Sequence, residues 1–261
     1  MPPSPVATIP LLNQAHSLRL AASLLFDTPA LFSNGRPVHA SDPRPPTASQ
    51  RRTANSTTRR DMMYLASNWR CIDVPQFDRA ALLVIDVQKA IDAAYHAAEG
   101  PRNNPDAEKN IGRLLAVWRR ENKPIIHVRH DSTLPASAYR PGQDGNRFKT
   151  EVEPAAGETI IPKRTNSAFI GTELERHLRE AGLVTLVVTG VSTNNSVEAT
   201  VRMAGNLGFD TYLVADACFT FARRDFHGRL RNAEEVHSMS LANLQDEYCS
   251  VVDTAAVLAD G

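Results

Sequence analysis

Residues 80–86, Ala-Ala-Leu-Leu-Val-Ile-Asp, make an uncharged apolar run that ends in a carboxylate. A strand that is hydrophobic at every position, not at alternate ones, has to be covered on both faces, which is the situation of a parallel sheet between helices. Similar short runs return at 125–128, 159–162, 183–188, 211–215 and 248–252. Helical patterns separate them. Ile111, Leu114, Leu115 and Trp118 form one apolar stripe after Asn104-Pro-Asp, whose cap and first-turn proline predict a helix start. Thr172-Glu-Leu-Glu175 has the capping-box pattern, Leu174 and Leu178 follow it, and Gly182 stops the helix. A further helix is expected near residues 234–244. Strands alternating with helices predict an α/β fold, a mostly parallel sheet of about six strands with helices on both faces and right-handed crossovers.

The stretch 183–200 joins this architecture to chemistry. Leu183, Leu186, Val187 and Val188 read as a buried strand, Gly190 as a tight turn, and Ser192 and Thr193 as helix-capping types. Val197, Val201, Ala204 and Leu207 then recur at helical spacing. Ser196 falls in the first helical turn, where free N–H groups and the positive end of the helix dipole favour developing negative charge. In open α/β sheets ligands sit at the carboxyl ends of the strands, which is where Asp86 and Lys163 also fall. An ordinary capped connection, a turn aspartate and a solvated lysine would look the same taken one at a time.

Composition removes several classes of function. The chain has 261 residues, 42% of them hydrophobic, with 29 basic against 29 acidic side chains. Zero net charge gives no reason to expect nucleic acid or an acidic membrane as partner. No apolar run reaches the length of a membrane span. Cys71, Cys218 and Cys249 are odd in number and widely spaced, which fits free thiols in a reducing, cytoplasmic setting, with Cys218 and Cys249 in core strands. Residues 1–65 are proline-rich, contain arginine but no lysine, and read as a disordered or transit-like leader before a domain at 66–261. Translation from Met62 or Met63 would remove most of it. The acceptor-like Asn55-Ser-Thr57 and Asn194-Asn-Ser196 lack a secretory context. No GxGxxG, P-loop, HExxH or GxSxG pattern occurs.

The segment from Ser132 to about Gly157 is long for a connection in a compact domain, as lids and binding loops are. It offers Tyr139, Arg140, Arg147, Phe148 and Lys149 as ligand contacts. Gln88, Arg129, Phe169 and Asn195 complete the expected substrate-binding set, beside Tyr139, Arg140 and Phe148.

Three motifs in this order resemble the isochorismatase-like hydrolase, or cysteine hydrolase, superfamily across about residues 75–258. They are Ala81-Leu-Leu-Val-Ile-Asp-Val-Gln88, then Ile161-Pro-Lys-Arg-Thr-Asn-Ser-Ala-Phe169 with Gly171-Thr-Glu-Leu174, then Thr189-Gly-Val-Ser-Thr-Asn-Asn-Ser-Val197 with Thr200. The resemblance implies a three-layer, Rossmann-like α/β/α domain and a homo-oligomer acting on a small molecule. It implies a triad on Asp86, Lys163 and position 196. It also implies a cis peptide at Val191–Ser192 and an oxyanion hole from the amides of Ser192 and Ser196. This sequence departs from the amidase pattern, because position 196 is serine where those members have cysteine. A thiol ionises near pH 8.5, whereas a serine hydroxyl needs a well-placed general base. The Asp-x-His metal motif of nicotinamidases also finds no match in His127-Val-Arg-His-Asp131, so no metal or other cofactor is expected.

The superfamily's true isochorismatases lack the cysteine, and the resemblance suggests that an aspartic acid there protonates the enol ether. The first expectation is therefore an Asp86-dependent hydrolase of a small carboxylate such as isochorismate. In it Lys163 would tune Asp86 and bind a substrate carboxylate, helped by Arg129, Arg140 or Lys149. The alternatives are a small-amide C–N hydrolase using Ser196 and a catalytically silent binder of a small ligand or protein.

Overall fold

Strand β1 (Ala81–Ile85) lies inside a six-stranded sheet and is buried at all its positions. The computed structural model of the chain describes residues 77–259, so the leader, Asn55 and Cys71 lie outside the described residues. The other sheet strands are β2 (Ile125–His130), β3 (Thr159–Lys163), β4 (Thr185–Val191), β5 (Asp210–Phe219) and β8 (Ser250–Val252). Their order is β3-β2-β1-β4-β5-β8, and every neighbouring pair is parallel. Five α-helices follow in chain order: α1 (Ala107–Arg120), α2 (Leu174–Glu180), α3 (Glu198–Asn206), α4 (Ala233–Ala242) and α5 (Thr254–Leu258). The expected parallel α/β architecture is the observed one.

The two faces of β1 fill separate cores. Leu82 and Val84 pack with the α1 stripe of Ile111, Leu114, Leu115 and Trp118, while Leu83 and Ile85 pack with Leu174 and Leu178 of α2 and Val197 and Val201 around the start of α3. Each fully buried aliphatic side chain contributes roughly 1.5–3 kcal/mol, so both layers are held mainly by apolar burial. The Trp118 indole also donates to the Ala80 carbonyl at 3.0 Å, which fixes α1 against the entry to β1.

Several local expectations give way to longer-range contacts. Gly190 does not turn the chain. It stays in β4 opposite Ile85 at φ 121°, and a Cβ there would lie 2.2 Å from the Ile85 carbonyl oxygen. Only glycine fits that approach between adjacent strands. Asn104 does not cap α1, since it takes a positive φ of 43° and its amide donates instead to the carbonyls of Ala215 and Cys218. The box around Thr172 is not formed either: its hydroxyl donates to Ala168, and Glu175 pairs with Arg179 on the helix surface. A capping box is present elsewhere, between Asn232 and Glu235 at the start of α4. Strand β5 runs beyond the expected end at residue 215, through Asp216 and Cys218 to Phe219, past an irregularity in its register with β4. The loop before α4 holds a small hairpin, β6 (Arg223–Arg224) with β7 (Leu230–Arg231). Cys218 and Cys249 are buried free thiols, as expected of core positions, and burial pushes Cys249 up to about 12. Among the described residues, no helix is long and apolar enough to cross a membrane.

Candidate active site

The carboxyl ends of β1, β3 and β4 bring three side chains together. Asp86 is the first residue after β1, Lys163 the last of β3, and Ser196 sits in a π-helical turn (Thr193–Val197) between β4 and α3. Strand β3 is two places from β1, about 10 Å at usual strand spacing, a gap that suits a lysine's long stem. Lys163 crosses it. Its ammonium donates to Asp86 Oδ2 at 2.6 Å, to the Thr165 carbonyl at 3.0 Å and to Ser196 Oγ at 3.2 Å. An ammonium has three N–H groups, so each of them is used. The side chain of Lys163 is wholly buried.

Asp86 adopts a left-handed backbone, φ 55°, which costs a non-glycine residue on the order of 1–3 kcal/mol and is held by its surroundings. Its amide donates to Val128 at 2.9 Å and its carbonyl accepts from Gln88 at 2.8 Å, so the bend is fixed on both sides. Burial raises the proton affinity of its carboxyl, and Lys163 opposes that rise without cancelling it. Oδ1, unlike Oδ2, has no hydrogen-bond partner.

Ser196 is positioned by the fold behind it. The Thr200 hydroxyl donates to the Ser196 carbonyl at 2.7 Å and accepts from the Ala168 amide at 3.0 Å, tying the turn to the segment after β3. Thr193 meets His237 Nδ1 at 2.8 Å, and the Ser240 hydroxyl donates to the Thr193 carbonyl, so α4 braces the same turn. The peptide between Val191 and Ser192 is cis, as the resemblance implied.

Asp86 and Ser196 line a cavity of about 500 Å³, together with Ser192, Asn195, His130 and Tyr139. That size suits a small organic molecule. Tyr95, His96, Ile91 and Leu134 form much of the remaining wall. The His130 ring stands edge-on to Tyr139 at 5.6 Å, and His96 stacks on Phe221 at 5.5 Å. Burial lowers the proton affinity of both imidazoles, and His130 Nδ1 and His96 Nε2 lack protein partners. Among the described residues, no cluster of three or more His, Cys, Asp or Glu side chains could hold a metal ion.

The isochorismatase domain matches residues 80–256. A Bacillus subtilis isochorismatase family protein, YrdC, is 41% identical over 183 residues, which is 70% of this chain and 96% of YrdC. The chain belongs to the isochorismatase family. A crystal structure from Chromobacterium violaceum, described as a hydrolase of the same family, is 59% identical with a TM-score of 0.68, covering 70% of this chain and 93% of that one. Nicotinamidase 3 of Arabidopsis thaliana is 28% identical over 192 residues, 69% of this chain and 87% of that enzyme. Hydrolysis is thus the chemistry of this isochorismatase-family chain.

The fold brings together Asp86, Lys163, Ser192, Asn195, Ser196 and Tyr139 from the expected set. It places the others elsewhere. Gln88 is fully buried, and its carboxamide donates to the carbonyls of His130 and Asn146 while accepting from the His130 amide, which makes it a clamp between β2 and the long loop. Arg129 is held bidentate by Asp131. Arg140 is exposed and donates to the Pro135 carbonyl, and Arg147 is paired with Asp144. Lys149 bonds Asp92 and Glu108. Phe148 packs against His127, and Phe169 is a core residue 5.6 Å from Phe209. Sequence reasoning missed Tyr95, His96 and His130 as cavity wall. His130 carries the one available signal, since it ends a strand beside Asp86. Tyr95 and His96 lie among turns with no periodicity to mark them.

Proposed function

We propose that this chain hydrolyses a small molecule with Asp86 as its proton-transfer group and without a sulfur nucleophile. One observation carries the reading: Asp86 gives one oxygen to Lys163 at 2.6 Å and leaves the other unpaired beside a small-molecule cavity. Hydrolysis needs a group that delivers a proton to the leaving fragment and recovers one from water. A carboxyl whose proton affinity is raised by burial serves both steps closer to neutrality than an ordinary one. Lys163 orients it.

The simplest reaction for such a pair is acid cleavage of an enol ether. Asp86 would give its proton to the enol carbon, water would add to the resulting oxocarbenium ion and return a proton to Asp86, and the hemiketal would then break its C–O bond. No nucleophilic side chain is required. Isochorismate as the particular substrate has less support, since it brings carboxylates and Arg129, Arg140 and Lys149 are each engaged away from the cavity.

A second reading is supported by the 3.2 Å contact between Lys163 Nζ and Ser196 Oγ, the position at which the sequence resemblance implies a cysteine in amidase members. A lysine that donates to this hydroxyl does not take its proton, so Asp86 would be the base for serine attack on an amide. Turnover of enol ethers and small amides by wild type, Asp86→Asn and Ser196→Ala decides. Activity lost in Asp86→Asn and kept in Ser196→Ala supports the first reading. Loss in both, with a burst of first product in wild type, supports the second. Wild-type turnover by Asp86→Asn overturns both.

A further inference from the structure

We propose that the β6–β7 hairpin and helix α4 form a self-association face, on which Phe226 of one copy seats in the cleft between hairpin and helix of a second copy.

The hairpin ends in a fixed aromatic knob. Phe226 lies in its tip and is 98% exposed, more than any other large apolar side chain among the described residues. The tip is held from within. Asp225 Oδ1 accepts from the amides of His227 and Arg229, and the Asp225 carbonyl accepts from the amide of Gly228. A side chain presented by a turn fixed in this way has little ordering cost left when it docks. Burying one phenylalanine removes roughly 150–250 Å² of surface from water.

The receiving side is next to it. A cleft of about 670 Å³ lies between the hairpin and α4. The helix buries Ala233, His237 and Ser240, which are small or polar, whereas Val236 and Met239 line the cleft. A surface helix ordinarily turns its larger apolar residues inward. Here Met239 is 63% exposed, and only Leu241 among those residues packs against the core. Leu230 adds exposed apolar surface on the hairpin. Apolar surface gathered at one place like this marks a docking site.

Charge identifies the occupant. Hairpin residues 223–231 hold four arginines and one aspartate, while Glu198, Glu234 and Glu235 stand on α3 and α4. The face sums to zero with its signs sorted to opposite sides. A partner of one strong charge would be repelled by half of it. A second copy related by a two-fold axis instead sets each arginine-rich hairpin against the acidic helices of the other. Knob and cleft share a face, so both are used at once and the pair closes on itself. Asn194 and Glu198 line the cleft too, so the seated copy rests against the turn that carries Ser196.

Sedimentation velocity on the full chain reads the pairing, and Phe226→Asp removes the knob at a position that leaves the core intact. Wild type should be a dimer at about 20 µM, and Phe226→Asp should weaken dimerisation at least about tenfold. Val184→Asp, at an exposed residue before the opposite end of β4, should leave it unchanged. p-Benzoylphenylalanine in place of Phe226, irradiated in a mixture with isotopically labelled copies, should attach to residues 236–243 of the other copy, as read by mass spectrometry. A wild-type monomer at about 200 µM, dimerisation indifferent to Phe226→Asp, equal loss in Val184→Asp, or attachment elsewhere overturns the proposal.

Discussion

Among the described residues, two buried carboxylates are bonded to lysine, and they differ in nearly everything else. Glu108, on α1, receives both Arg102 η-nitrogens at 2.6 and 2.5 Å and Lys149 at 2.9 Å. Burial would raise its pKa, but those hydrogen bonds win and hold it at about 2. Asp86 receives Lys163 on one oxygen, keeps the other unpaired, and is shifted upward by burial. A carboxylate with both oxygens paired to cations stays ionised and fastens the fold. One left half-satisfied beside a cavity keeps an affinity for a proton and has room for a reacting molecule. The contrast lies in partners, not in residue type or depth.

The comparison breaks most easily through function. Asp86→Asn should lower turnover by roughly 10²- to 10⁴-fold, the usual worth of a proton-transfer group, while Glu108→Gln should leave kcat within about twofold; steady-state kinetics on the same substrate reads both. Next in size is the penalty for orphaning a buried charge. Lys163→Met leaves Asp86 without its cation and should cost about 3–5 kcal/mol, seen as a fall in Tm by calorimetry. Glu108→Gln should cost only about 1–2 kcal/mol, because its cluster reaches the protein surface and solvent screens it.

The finest distinction is in the sign of the pH dependence. The folded pKa of Glu108, about 2, lies below the unfolded value of roughly 4.3. Its stabilisation is therefore complete above the unfolded value and fades as pH falls toward the folded one. Asp86 runs the other way. Its raised folded pKa gives stability that is full below the unfolded value of roughly 3.9 and is lost as pH rises through the folded value. Urea melts should show the gap between wild type and Glu108→Gln closing in acid. The advantage of wild type over Asp86→Asn should instead shrink as pH rises. Parallel curves for the two pairs would remove the distinction.

Much of the fold was legible because burial writes itself locally. The continuous apolar runs at β1 and β4 and the stripe on α1 each state their surroundings within a few residues. Asp86 and Lys163 were legible for a related reason, since strand ends in this architecture face the ligand side. The cavity wall was not. Gln88, a plausible ligand contact from its place in the motif, is spent on His130 and Asn146, 42 and 58 residues away. The arginines and Lys149 looked like anion contacts, yet their partners Asp131, Asp144 and Glu108 are assigned only once the chain has folded. Gly190 misled in the opposite direction, its glycine answering to the neighbouring strand instead of a turn.

The Gln88 clamp has a kinetic consequence. The loop that supplies Ser132, Leu134 and Tyr139 to the cavity is fastened at its base, where Asn146 donates to His130, Asp131 and Tyr139 while its own carbonyl is held by Gln88. A wall stitched to the sheet in this way has its base tied against a hinge motion. Turnover should therefore be set by bond-making and not by gate opening, and added glycerol or sucrose should slow it no more than diffusion into an already open cleft requires.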